Sequence, residues 1–237
     1  MDTLIDYLAE ARVAHQRNDW RASYAAFVRA DGLGPMPTDD LNAYSVTAWR
    51  LGYENEAVRL AERTFDRLAR TDPAAAAMKA AELALLWHAR EHHTVSHVWA
   101  DRARGLLAGA TVGPTHGYLA YLDATIAVAA EDAETLARAS TVLHEAASMS
   151  DDATVAVLAR VVDGVGALLA SRAADGYRLL DEALVPMLDE RLPLEWAGDV
   201  YRLVLHQGGR IDARHRAAWT ESMRRWVVVT GVVMSNP

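Results

Sequence analysis

A helix end, a short turn and a second, small-residue helix recur six times along this chain. The junctions read Arg17-Asn-Asp-Trp-Arg-Ala-Ser23, Leu51-Gly-Tyr-Glu-Asn-Glu-Ala57, Glu91-His-His-Thr-Val-Ser96, Asp132-Ala-Glu-Thr-Leu-Ala137, Ala173-Ala-Asp-Gly176 and Gly209-Arg-Ile-Asp-Ala-Arg214. Anchored on Ser23, Ala57, Ser96, Ala137, Gly176 and Arg214, they are spaced by 34, 39, 41, 39 and 38 residues. A period of that size with two helices per unit is the pattern of a helical repeat. A small anchor residue follows from packing, because the two helices of a hairpin cross closely there. Arg214 departs from this rule, so the sixth unit is the least regular.

Hydrophobic spacing agrees with helices throughout. Trp20, Tyr24, Phe27 and Val28 share one helical face, as do Ala57, Leu60, Ala61, Thr64, Phe65 and Leu68. Tyr118, Leu119, Leu122 and Ile126 repeat the pattern, and so do Tyr177, Leu180, Leu184 and Leu188. The one strand-like run is Trp226-Val-Val-Val-Thr-Gly-Val-Val-Met234. Breaks at Asn18-Asp19, Gly32–Pro37, Gly52, Thr71-Asp72-Pro73, Glu91–His93, Gly109–Pro114, Glu131-Asp132, Ser150–Asp152, Ala173–Asp175, Leu192-Pro193 and Gly208-Gly209 divide the chain into about twelve helices. The fold class is all-α, a single domain over residues 1–237 with its clearest units at 3–70. A closing helix or tail is expected at about 212–237, its apolar end docked against the last unit or against a second copy in a homodimer.

Composition narrows the function. The 51 % apolar content of 237 residues is ample for a core. The absence of cysteine removes disulfides, thiolate nucleophiles and zinc–thiolate sites. A net charge of −8 argues against direct nucleic-acid binding. Lys79 is the sole lysine, leaving 23 arginines among the 24 basic residues. The start, Met1 to Arg12, lacks a basic-then-apolar leader, and no apolar run approaches the ~20 residues of a membrane span. A cytoplasmic protein without membrane attachment is the expectation.

Asn18-Asp-Trp-Arg-Ala-Ser-Tyr-Ala-Ala-Phe27 with Ala30, and Leu51-Gly-Tyr-Glu-Asn-Glu-Ala57, resemble the turn and second helix of tetratricopeptide (TPR) repeats. The wider order is similar to the TPR-like region of large bacterial LuxR-type transcriptional regulators. Ala100-Asp-Arg-Ala-Arg-Gly-Leu-Leu107, His116-Gly-Tyr-Leu-Ala-Tyr-Leu122 and Gly198-Asp-Val-Tyr201 add to that likeness. The resemblance implies a right-handed α-solenoid of about six TPR-like hairpins whose first helices line a concave groove. It also implies a sensor or scaffold role without the helix-turn-helix output domain, which these residues lack.

Three groups of residues carry candidate chemistry. His88 and His92, and His93 and His97, are spaced i, i+4, and with Glu91 offer metal ligands. The segment falls at an expected turn, so both pairs are expected to span a helix break, which favours solvated imidazoles over a metal site; His-Glu-x-x-His is absent. Asp123, Asp163 and Asp199 stand in apolar helices 13 to 15 residues before their anchors, as does Glu82. Such acids either face a groove or pair with arginine, Arg160 or Arg202 being the nearest choices, and the paired reading is favoured. Tyr121, Trp196 and Tyr201 lie on first helices and are groove candidates, whereas Trp20, Trp99 and Trp219 on second helices read as core.

No phosphate loop, nucleophile elbow or thiol is present, and no cofactor is indicated. The expected function is therefore a non-enzymatic binding or regulatory module for a peptide, a protein partner or a small basic ligand. Tyr121, Asp123, Asp163, Trp196, Asp199, Tyr201 and Arg202 are its candidate groove residues. The alternative is an enzyme or small-molecule sensor that encloses Asp123 and Asp163 in one pocket.

Overall fold

A computed structural model of the chain describes residues 3–188 and 193–231, and these are all-α. Twelve α-helices and one 3₁₀ turn occur among the described residues: α1 (Leu4–Gln16), α2 (Trp20–Leu33), α3 (Thr38–Arg50), α4 (Glu54–Thr71), α5 (Pro73–Ala89), α6 (His93–Leu106), α7 (Pro114–Ala129), α8 (Ala133–Ser148), α9 (Ala153–Leu169), α10 (Ala173–Leu188), α11 (Leu194–Leu205) and α12 (Ala213–Thr230). No helix among the described residues is long and apolar enough to cross a membrane. The chain divides into two compact units, one formed by Met1–Trp87 with Thr94–Leu106, the other by His88–His93 with Leu107–Gly231. The sequence carries no sign of this division, because the junction spacing continues through it.

Local chemistry sets the helix boundaries. Thr3 and Asp6 cap α1 reciprocally, and the carboxylates of Asp19, Asp132, Asp152 and Asp212 accept amide hydrogen bonds at the starts of α2, α8, α9 and α12. Asp72 accepts from the Ala75 amide at 3.0 Å, and Pro73 opens α5 where its missing donor costs nothing.

One turn is used five times. Asn18, Gly52, Glu91, Glu131 and Ser171 all take left-handed backbone, with φ between 54° and 75°. At four of them the next amide reaches back to an alanine carbonyl: Asp19 to Ala14, Tyr53 to Ala48, Asp132 to Ala127 and Arg172 to Ala167, at 2.8–2.9 Å. This bond closes the helix end and reverses the chain. Five residues after each turn comes the anchor, and at three of them a hydrogen bond joins it to the residue twelve back. Ser23 Oγ donates to the Ala11 carbonyl at 3.1 Å and Ser96 Oγ to that of Ala84 at 2.8 Å. Ser45 Oγ donates to the Ala57 carbonyl at 2.8 Å, so the third pair uses the same contact in reverse. The turn register corrects the fourth anchor by one residue, to Leu136, because Glu131 and not Asp132 takes the left-handed conformation.

In the first unit, Phe27, Leu41, Tyr44 and Leu60 form the core with Leu8 and Ala26, and the Phe27 and Tyr44 rings stack at 5.4 Å. Arg12 grips the buried Asp40 with two bonds of 2.6 and 2.7 Å, and Arg63 grips Asp31 with two of 2.9 and 3.0 Å. Lys79, the sole lysine, is buried against Glu82. In the second unit, α9 is buried along most of its length between α8 and α10. The strand-like run is helical through Thr230, where Gly231 ends α12 in left-handed backbone. Trp226 and Thr230 are buried, but Val228 and Val229 are exposed, which corrects the expectation that the whole run is docked. A helix face holds every third or fourth residue inside, and these two valines fall on the other side. Residues 232–234 of the run lie outside the described residues.

Candidate functional site

Two cavities whose walls mix apolar and charged side chains lie among the described residues of the second unit. The larger, about 650 Å³, runs between α8 and α9 and is lined by Leu136, Ala137, Ser140, Val162, Asp163, Gly166 and Ala167, with Glu131, Arg172, Leu179 and Arg210 toward one end. Small residues open it, since a Cβ on Gly166 would already touch Leu136 at 3.6 Å. Asp163, half-buried on α9, is its acid away from the Glu131 end. Ser140 Oγ donates to Asp163 Oδ1 at 2.7 Å and His144 Nε2 lies 2.7 Å from Oδ2. Each carboxylate oxygen keeps capacity for another donor.

This trio does not have the order of a nucleophilic triad. Ser140 bonds the acid directly, and so does the histidine, so no serine–imidazole contact prepares a nucleophile. Asp163 is held by two neutral-capable donors and presents negative charge to the cavity. That suits an ammonium or guanidinium group of a ligand.

The smaller cavity, about 460 Å³, is lined by His88, Glu91, His93, Asp199, Arg202 and His206, among others. Its best-buried group is Asp199, which accepts from the Tyr121 hydroxyl at 2.9 Å on one oxygen and from Arg202 on the other. Arg202 also donates to the Ala89 carbonyl at 3.0 Å. Burial, and then the Asp199 charge, push the Tyr121 hydroxyl well above the ordinary phenol range. Asp199 is thus satisfied within the protein, as the paired reading of the sequence expects.

The seven predicted groove residues therefore separate. Tyr121, Asp199 and Arg202 form one network, with Trp196 edge-on to Tyr121 at 5.9 Å. Tyr121, Trp196 and Tyr201 are fully buried, which corrects their reading as groove aromatics: helical spacing marks an apolar face, and here that face is core. Tyr201 packs on Trp226 at 5.7 Å and bonds Ser222 at 2.9 Å. Asp163 stands apart from them in the α8–α9 cavity. Asp123 is half-buried on α7 and lines neither cavity, so Asp123 and Asp163 do not share a pocket here.

The histidine segment divides as well. Glu91 in left-handed backbone separates His88 from His92, whereas His93 and His97 both belong to α6, contrary to the expectation that a break parts each pair. The His88 and His93 rings approach to 5.2 Å. Among the described residues, no group of three or more histidines and carboxylates converges as a metal site.

Sequence reasoning missed Ser140, His144, Glu131, Arg172 and Arg210. The partners of Asp163 come from the facing helix, 23 and 19 residues away, where no local spacing reveals them. No protein-family model, curated protein or solved structure matches this chain.

Proposed function

We propose that the protein is a non-enzymatic binding module built from about six TPR-like helical hairpins in a right-handed solenoid, serving a regulatory or sensor role. The five repeated left-handed turns at 34–40-residue intervals support the repeat reading. The ligand is a small molecule or peptide side chain with a basic group, seated between α8 and α9. The observation that carries this is the open cavity with Asp163 in its wall, its carboxylate oriented by Ser140 and His144. A largely apolar trough with a few placed charged groups is the usual form of a small-ligand site.

The test is a chemical-shift titration of the full chain with n-heptylamine. Saturable shifts at Ser140, Asp163 and Gly166 that vanish in Asp163→Asn, with the melting temperature kept, are expected. Shifts that spread without saturation, or that persist in Asp163→Asn, would overturn the proposal.

A further inference from the structure

The α8–α9 cavity has a carboxylate toward one end and two guanidiniums toward the other. Ser140 faces Asp163 and Leu136 faces Gly166, so numbers fall along one wall as they rise along the other and the helices run antiparallel. At the Asp163 end the lining charge is negative. Beyond Ala170 the wall is completed by Arg172, Arg210 and Glu131. Glu131 accepts from Arg210 at 2.6 Å, while Arg172 has an exposed contact with Asp175 at 3.3 Å. Each guanidinium is thus matched by a carboxylate but spends a single nitrogen on it, so both keep further N–H donors. Between the ends the wall is apolar, formed by Leu136, Val162, Gly166, Ala167 and Leu179. Asp163 and Ala170 are seven residues apart, which at ~1.5 Å per residue sets Asp163 about 10 Å from the end of α9, two residues before Arg172.

We infer that the cavity takes a zwitterion of this length: an ammonium on Asp163, an unbranched apolar body across Gly166 and Ala167, and a carboxylate on Arg172 and Arg210. The inference rests on the proposed seat at Asp163 and adds the second anchor. Guanidinium is the group best shaped for a carboxylate, because its donors match both oxygens. A simple amine leaves the two guanidiniums unused, and a simple fatty acid meets the Asp163 charge at the other end.

The experiment is calorimetric titration of the full chain with n-heptylamine, octanoate and a series of ω-amino acids up to and beyond 8-aminooctanoate. The native protein is expected to bind 8-aminooctanoate about tenfold more tightly than heptylamine, as one added charge-assisted contact gives. Shorter and longer members should bind more weakly. In Arg172→Gln/Arg210→Gln that preference should disappear with heptylamine affinity unchanged, which also shows that the variant is folded. Glu131→Gln, which releases Arg210, should strengthen the amino acid alone. Equal binding of amine and amino acid by the native protein, or a preference that survives the double substitution, overturns the inference but leaves the Asp163 seat intact. Absence of Asp163-dependent amine binding overturns both.

Discussion

Gly164 of α9 and Gly176 of α10 are pressed together at the centre of their hairpin. A Cβ on Gly176 would stand 3.0 Å from the Gly164 carbonyl and 2.7 Å from Leu168 Cδ2; one on Gly164 would stand 2.7 Å from Leu180 Cγ, itself fully buried. Neither leucine is free to withdraw. Gly164→Ala and Gly176→Ala are each expected to lower stability by about 1–3 kcal/mol, the cost of overpacking a filled core. Urea unfolding measures this. Gly166→Ala is the control, because its Cβ would meet only Leu136 at an ordinary 3.6 Å. Equal losses at 164 and 166 would refute the close crossing.

The serine anchors give a second prediction. Ser96 is buried and its hydroxyl spans α5 and α6 to the Ala84 carbonyl at 2.8 Å. Ser96→Ala removes one buried hydrogen bond, worth about 1 kcal/mol. Ser96→Leu forces a large side chain into the crossing and should cost more than the alanine variant. If leucine is tolerated as well as alanine, this position is not the point of closest approach.

A third prediction concerns the Tyr121–Asp199 bond. Tyr121→Phe leaves Asp199 with Arg202 alone and should cost about 1–2 kcal/mol. The alkaline behaviour has a definite sign. The Tyr121 phenol is raised far above its ordinary value of 10.0, first by burial and then by the Asp199 charge, so only the unfolded chain releases that proton readily. Stability should therefore be lost as pH rises beyond 10, with Tyr201, also raised by burial, adding to the loss. Tyrosinate absorbance in an alkaline titration should lag for these residues until unfolding. Early ionisation of all tyrosines in the folded protein would contradict it.

On the acid side, His15 is the group to watch. Burial, and then the charge of Arg50, hold its pKa below the ordinary 6.5, and its Nδ1 lies 3.0 Å from Thr47 Oγ1. Thr47 spends its own proton on the Ala43 carbonyl at 2.7 Å, so the imidazole is the donor and stays neutral. Protonation favours the unfolded chain. Its contribution is intact above pH 6.5 and declines as pH falls below it. The urea midpoint should drop more steeply between pH 7 and pH 5 in the native protein than in His15→Gln. Parallel slopes would assign the acid sensitivity elsewhere.

The sequence displays its turns more clearly than its sites, for physical reasons. Asn18 and Gly52 are residue types that accept left-handed backbone, and Asp19 and Asp132 are ready caps, so those junctions are visible locally. Glu131 and Ser171 adopt the same conformation without the usual residue types, and at Glu131 the expected register slips by one. The all-α class and the placement of Trp99 and Trp219 in the core follow from helical periodicity. Periodicity alone does not say what covers an apolar face, which is why Tyr121, Trp196 and Tyr201 resemble groove residues in sequence and are buried in the fold. Asp163 was recognisable as an acid in an apolar helix. Its setting depends on Ser140 and His144 across the cavity and on Arg210 47 residues further along, which only tertiary structure supplies.

The twelve-residue contacts also bear on how the molecule forms. Ser23 with Ala11, Ser45 with Ala57 and Ser96 with Ala84 each close a loop so short that little chain entropy is lost. Helix pairs of this kind assemble early and rapidly, as proteins dominated by local contacts do. Tyr121 and Asp199, 78 residues apart, belong to the opposite limit. Their bond can be made only after α7 through α11 have been assembled, which makes the smaller cavity a late product of folding and the hairpins its prerequisites.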